Sequence, residues 1–333
     1  MTKILAIESS CDETSASIIS DGKVMNNVIF SQVIHEKYGG VVPELASRAH
    51  QQSIVTVVDK AINDANIQKS DLQAIAFTKG PGLLGSLLVG ASFAKAMATA
   101  LAIPLIEVHH MKAHVLAHFI DEPRPQFPFL CLTVSGGHTQ ILRVDSPGEM
   151  KILGQTRDDA VGEAFDKTAK ILGLPYPGGP LIDKYAQDGN DKKYKFPHSD
   201  IPDLDFSFSG IKTAVLYFVR DHKKDDEEFV SRNISDISAS IQKTLIDMLM
   251  VKLEKAAELT GISEIAIAGG VAANSRLREE LASRESAMGW NTFIPKFEYC
   301  TDNAAMIAMA AHFSYNAGVF AKMESMPQAR LPF

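Results

Sequence analysis

The sequence predicts an α/β protein of two similar domains, and three observations carry that expectation. Short apolar strands alternate with amphipathic helices along the chain, the order that builds sheets covered by helices. A strand, polar turn, strand pattern occurs twice. Ile4-Leu5-Ala6-Ile7 runs into Glu8 to Thr14 and out through Ser15 to Ile19; Leu130 to Val134 runs into Ser135-Gly136-Gly137-His138-Thr139 and out through Gln140-Ile141-Leu142. The length, 333 residues, accommodates two domains of about 150 residues each.

Met1-Thr2-Lys3-Ile4 enters the first strand without a basic and apolar leader pattern. Ile54, Val57, Val58, Ala61, Ile62 and Ala65 form one helical apolar stripe. Ile237, Ile241, Leu245, Met248, Leu249, Leu253 and Ala256 form another, stopped by Gly261 at a C-cap position. Phe129-Leu130-Cys131-Leu132 and Ile265-Ala266-Ile267-Ala268 are runs of strand length, too short to cross a membrane. The second ends in Gly269-Gly270, where a ligand can approach the backbone, before a helix capped by Asn274 or Ser275. His222 to Glu228 and Asp188 to Lys195 are polar enough to be solvated loops.

Composition narrows the classes. The chain is 46% hydrophobic and 22% charged, as in ordinary globular proteins. Cys11, Cys131 and Cys300 are too few and too scattered for a disulfide framework, which suits a reducing, cytoplasmic compartment. A formal net charge of −7 argues against a broad nucleic-acid-binding surface and leaves room only for a local basic patch. Lys167, Lys170, Lys184, Lys192, Lys193 and Lys195 cluster in sequence around Tyr176-Pro177-Gly178-Gly179-Pro180 and could form one.

The chemistry begins at His110-Met111-Lys112-Ala113-His114, which on a helix puts two imidazoles one turn apart on one face, the spacing of metal ligands. The protease version needs Glu after the first His, and Met111 stands there. A helix that merely carries histidines is the bland alternative, since His109 and His118 lie close by. The two hairpins offer backbone N–H and hydroxyl groups that can hold a phosphate, and the Gly269-Gly270 loop suits a nucleotide.

Eight motifs then occur in one order: Glu8-Ser9-Ser10-Cys11-Asp12-Glu13-Thr14, Gly80-Pro81-Gly82-Leu83, His110 to His114, Val134 to Thr139, Tyr176 to Pro180, Phe206-Ser207-Phe208-Ser209-Gly210-Ile211-Lys212-Thr213, Gly269 to Asn274, and Thr301-Asp302-Asn303. Together they resemble the bacterial tRNA N6-adenosine threonylcarbamoyltransferases over nearly the whole chain. The resemblance implies two related actin-like, ribonuclease H-like domains around a nucleotide cleft. The first domain would span residues 1–125. The second, residues 126–333, would carry a helical insertion and a last helix packed back on the first. The implied reaction moves the threonylcarbamoyl group from threonylcarbamoyl-AMP to N6 of the adenosine beside the anticodon.

By the same resemblance His110, His114 and Asp302 hold one divalent ion, a ligand set suiting iron(II) or zinc. For Asp302 the local alternative is a helix N-cap before Ala304 to Ala308. Nucleotide contacts, with ATP or AMP also able to enter, fall on Thr133, Val134, Ser135, Gly136, Gly137, Asp166, Gly179, Asp183 and Asn274. Asp166 otherwise reads as part of a charged helix face with Glu163, Lys167 and Lys170. Asp12 or Glu13 is the expected base or orienting group for the amine, against a plain turn role. The implied partners are tRNA, an inactive paralogue of the same fold, a small ATPase and a separate adenylate-forming enzyme, with no membrane. A small-molecule kinase of the same fold and a metallopeptidase are the rival activities.

Overall fold

β1 (Lys3–Glu8) opens the chain, and all of Ile4 to Glu8 is buried. It pairs antiparallel with β2 (Glu13–Ser20), which also pairs with β3 (Lys23–Val24) and β4 (Val28–Ser31). After α1 (Pro43–Asp64), β5 (Ala74–Gly80) lies parallel to β1. After α2 (Leu84–Leu101), β6 (Leu105–His109) lies parallel to β5 and leads directly into α3 (His110–Leu116). The stripe Ile54, Val57, Val58, Ala61 and Ile62 of α1 packs on Ile7, Ile75 and Phe77 of this sheet, burying apolar area that drives the unit's folding. By length and composition α2 could span a membrane; it packs on β5 and α1.

The second sheet starts with β7 (Phe129–Val134), antiparallel to β8 (Thr139–Val144), which is antiparallel to β9 (Met150–Gln155). Five helices follow: α4 (Val161–Ile171), α5 (Gly178–Ala186), α6 (Ser209–Lys223), α7 (Phe229–Arg232) and α8 (Ile234–Thr260). β10 (Glu264–Ala268) returns parallel to β7. It is followed by α9 (Ser275–Met288) and β11 (Asn291–Phe293), parallel to β10. Finally α10 (Ala304–Asn316) packs on β1, β2 and α3.

The computed structural model describes residues 1–199 and 201–333. They fall into two units, one of Met1–Arg124, Ser146–Glu149 and Pro295–Phe333, the other of Pro125–Asp145 and Met150–Ile294. Apart from β4, which pairs with β2 off this path, the two sheets have the same topology: β3-β2-β1-β5-β6 and β9-β8-β7-β10-β11, each with two antiparallel pairs followed by two parallel pairs. The repeated hairpin of the sequence is therefore the second antiparallel pair in each of these orders.

Gly261 caps α8 in the left-handed conformation (φ 67°), as its position after the stripe predicts. The polar run expected to be a loop from His222 starts later, because α6 continues through Lys223. Arg220, His222 and Lys223 favour the negative end of that helix, and the His222 ring stacks on Phe229 at 4.3 Å.

Candidate functional site

His110 opens α3 and His114 lies one turn later in its last turn, and both rings are buried. Their Nε2 atoms converge on one oxygen: Asp302 Oδ1 lies 3.3 Å from His110 and 3.2 Å from His114. Asp302 is free for this because Asn303 caps α10 instead, its side chain accepting from Met306 N at 3.0 Å. The local alternative for Asp302 is thereby corrected by one residue. The donor atoms of the three residues all lie within 4.8 Å of one another.

This donor set fits a divalent ion. Two imidazole nitrogens and a carboxylate oxygen with bonds of about 2.1 Å to one tetrahedral centre stand about 3.4 Å apart, close to the separations found. His110 is further held by Glu8, which sits fully buried at the end of β1 and takes the imidazole Nδ1–H at 3.0 Å. Ser10 Oγ lies 3.2 Å from the same nitrogen. Glu8 is fixed in turn by Thr78 Oγ1 at 2.7 Å and by the Ser10 amide. A carboxylate on Nδ1 keeps the proton on that nitrogen, so that a cation at the site would take the place of the proton on Nε2 beside Asp302. The electrostatics agree. Burial alone would lower His110, but Asp302 and then Glu8 raise it well above the ordinary histidine value. Burial pushes Asp302 up, yet the two imidazoles hold it far below the carboxylate range. The spot attracts positive charge. His114 is pulled down by burial, and its Nδ1 has no partner among the described residues.

Asp12 and Glu13 lie at the β1–β2 turn and the start of β2. Burial first, and then the negative Asp302 and Asp12, push the Glu13 carboxyl up to about 9. A cation at Asp302 would remove much of the second contribution. The same turn is tied to α1 by His50, whose Nε2 donates to the Cys11 carbonyl at 2.9 Å while Nδ1 meets Thr14 Oγ1 at 2.7 Å.

The nucleotide-type residues all fall in the second unit. Ser135 closes the β7–β8 turn: its amide donates to His138 O at 2.8 Å, and its hydroxyl accepts from His138 N at 3.0 Å and Gly137 N at 3.3 Å. Gly136 and Gly137 face open space, whereas Thr133 and Val134 are buried in β7. Gly269 (φ 93°) runs so close to this hairpin that a Cβ there would stand 2.4 Å from Val134 O, which explains the glycine. The three polar residues do local work. Asp166 Oδ1 accepts from the amides of Gly178 and Gly179 at 2.9 and 3.1 Å, binding α4 to the start of α5. Asp183 accepts from Ser275 N at 3.1 Å and Ser275 Oγ at 2.6 Å. Asn274 is the N-cap of α9, accepting from Leu277 N at 3.1 Å. Asp166 therefore lies with Gly179, and Asp183 beside Asn274.

A family model described as tRNA N6-adenosine threonylcarbamoyltransferase (TsaD) matches residues 23–309. The chain belongs to this family. Relatives bearing that name include one from Christiangramia forsetii, 59% identical over 99% of this chain and 98% of its own length. Another, from Phocaeicola vulgatus, is 53% identical over 99% of both. Among solved structures, HypF in a phosphate- and nucleotide-bound form covers 95% of this chain and 46% of its own at a TM-score of 0.63 and 12% identity. The (R)-2-hydroxyglutaryl-CoA dehydratase component A of Acidaminococcus fermentans covers 95% and 100% at 0.54 and 13%. They share the two-domain actin-like fold. The chain is accordingly a transferase of the threonylcarbamoyltransferase family.

Within this transferase, sequence reasoning missed Glu8, Thr78, Ser10 and His50 as parts of the site. Glu8 did leave a signal, since it is a carboxylate ending an otherwise apolar strand run. Such a residue is almost never fully buried unless paired. Thr78 and His50 gave none, because their partners are far away in sequence.

Proposed function

We propose that this chain transfers the threonylcarbamoyl group from threonylcarbamoyl-AMP to N6 of the adenosine 3′ to the anticodon in tRNAs that read ANN codons. The convergence of His110, His114 and Asp302 in a chain of this family is the observation that carries the reading. N6 forms a bond to the carbamoyl carbon, the bond from that carbon to the phosphate oxygen breaks, AMP leaves, and N6 gives up one proton. When bound, iron(II) or zinc at the three ligands supplies charge neutralisation for the departing phosphate. Glu8 holds His110 in the ligating tautomer. Asp12 or Glu13 orients the amine and takes its proton.

For the donor, the backbone of the Gly136-Gly137 turn binds phosphate, the Gly137 amide exchanging its bond to Ser135 Oγ, and Gly179, Asp166, Asp183 and Asn274 border the ribose and purine. Engaging the last three polar side chains means sharing or replacing the helix-capping bonds they make in this structure. The acceptor is tRNA. Of the six lysines around Tyr176 to Pro180, Lys167 is paired with Asp159 at 2.7 Å and Glu163 at 2.8 Å, and Lys193 with Asp236 at 2.7 Å. Lys170, Lys184, Lys192 and Lys195 are exposed and carry the proposed RNA patch. An inactive paralogue of the same fold completes the RNA surface, a small ATPase assists turnover, and a separate enzyme supplies the adenylate in the cytoplasm. Family membership favours this transfer over the kinase and peptidase alternatives. The test is formation of N6-threonylcarbamoyladenosine in unmodified tRNA from purified components. No product from the complete mixture, with the adenylate present, would overturn the reading.

A further inference from the structure

The segment after α10 does not leave the protein; it turns back across the ends of two strands. Ala321 donates to Leu105 O at 2.7 Å on the edge of β6. Ser325 Oγ donates to Glu107, and Lys95 Nζ to Ser325 O. Gln328 N reaches Lys79 O at 2.8 Å, and Gly82 N reaches Ala329 O at 3.1 Å. Pro332 O then lies 3.2 Å from His109 Nε2, and the Phe333 ring packs edge-on against the His109 ring at 5.3 Å. Lys112 Nζ sits 5.5 Å from the centre of the same phenyl ring. The fit at β5 is close enough to demand glycine: Gly80 has φ 151°, and a Cβ there would stand 2.0 Å from Gln328 O.

Two of the points that the segment grips, His109 and Gly82, lead to the ligand His110. His109 is the residue before His110 and the last of β6. Next to Gly82, Leu83 N donates to Ser10 O at 2.7 Å, and Ser10 Oγ faces His110 Nδ1. Lys112 lies between His110 and His114 on α3.

We propose that residues 328–333 are a positioning strap for the metal centre, fixing the backbone on both sides of His110 so that its Nε2 is already aimed when the ion arrives. This rests on the assignment of a divalent ion to His110, His114 and Asp302. Groups that orient a ligand from outside typically contribute about ten- to a hundred-fold in metal affinity, because a loose ligand must be ordered at the moment of binding.

The experiment uses the full chain, a variant lacking residues 328–333, Phe333→Ala, and Ser325→Ala as a control that loosens the segment far from the ligands. Cobalt(II) is the probe, with affinity read by competition against a chromophoric chelator and geometry by its visible absorption. The expected result is a loss of about ten-fold or more in affinity with an altered absorption band for the deletion. Phe333→Ala should show a few-fold loss in the same direction, and Ser325→Ala wild-type behaviour. Phe333→Ala decides the matter if the deletion does not fold. Wild-type affinity and spectrum in both strap variants overturn the strap while leaving the metal site standing. A wild-type chain that takes up no cobalt overturns both.

Discussion

Between β1 and β2 the turn is surrounded by side chains that bond one another, while between β7 and β8 two glycines face open space. The same sheet topology thus supports two kinds of chemistry. In the first unit the buried Glu8, His110 and His114 gather with the half-buried Asp302 in a cluster whose charges draw in a cation. In the second, Asp166, Asp183 and Asn274 are spent on holding helix ends, and the space lies over Gly136 and Gly137. The difference is one of what a substitution destroys. Removing a ligand in the first unit takes away function and one partner of a set of opposite charges; removing a polar residue in the second takes away a cap and so part of the fold.

The largest effects follow from the first unit. His110→Ala, His114→Ala or Asp302→Ala should each abolish stoichiometric metal binding and reduce transfer by well over a hundred-fold, with the metal-free protein still folded. Elemental analysis and a transfer assay check this. A ligand variant that keeps both metal and rate would break the comparison. Glu8→Gln should do less, about ten- to a hundred-fold in metal affinity, because the amide can still accept from His110 while losing the charge that favours its N–H.

The second unit predicts smaller losses that appear in stability as well. Asn274→Ala removes the N-cap of α9 and should cost about 0.5 to 2 kcal/mol in denaturant unfolding. Asp183→Ala leaves Ser275 N without its acceptor and should cost about 1 to 3 kcal/mol. Both should weaken AMP binding in calorimetry. Weakened binding at full stability would show that these residues serve the ligand alone and that the contrast between the units is false.

The smallest effect concerns pH. Burial, outweighing the Cys11 carbonyl and the nearby Glu8, holds His50 below the ordinary histidine value. Above about pH 6.5 the folded and unfolded states are both neutral at this residue. Below that value the unfolded chain takes up a proton before the folded one, so stability falls as pH falls through this window. His50→Gln should flatten that part of the stability profile, measured by urea unfolding between pH 7 and 5.

Much of this was legible in the sequence, and what was missed shares a cause. The stripe from Ile237 to Ala256, the cap at Gly261 and both hairpins follow local periodicity and turn chemistry, which short stretches encode. The His110 and His114 pair was visible for the same reason, since one helical turn separates them. Asp302 is 188 residues from His114, and neither its role nor the one-residue shift of the cap to Asn303 is encoded locally. Only the order of motifs pointed to it. Glu8, Thr78 and His50 became members of the site when the sheet brought distant segments together. Asp166, read as part of a solvated helix face, proved to tie α4 to α5, because the Gly178 and Gly179 amides arrive from a later turn.

The central claim is that a divalent ion at His110, His114 and Asp302 is needed for threonylcarbamoyl transfer. It is tested most directly by stripping the protein with a chelator, restoring iron(II) or zinc in steps, and following N6-threonylcarbamoyladenosine formation from preformed threonylcarbamoyl-AMP and unmodified tRNA in the reconstituted mixture. The account predicts that transfer disappears with the metal and returns in proportion to it, reaching full rate at one equivalent per chain. Undiminished transfer by the metal-free protein would contradict it.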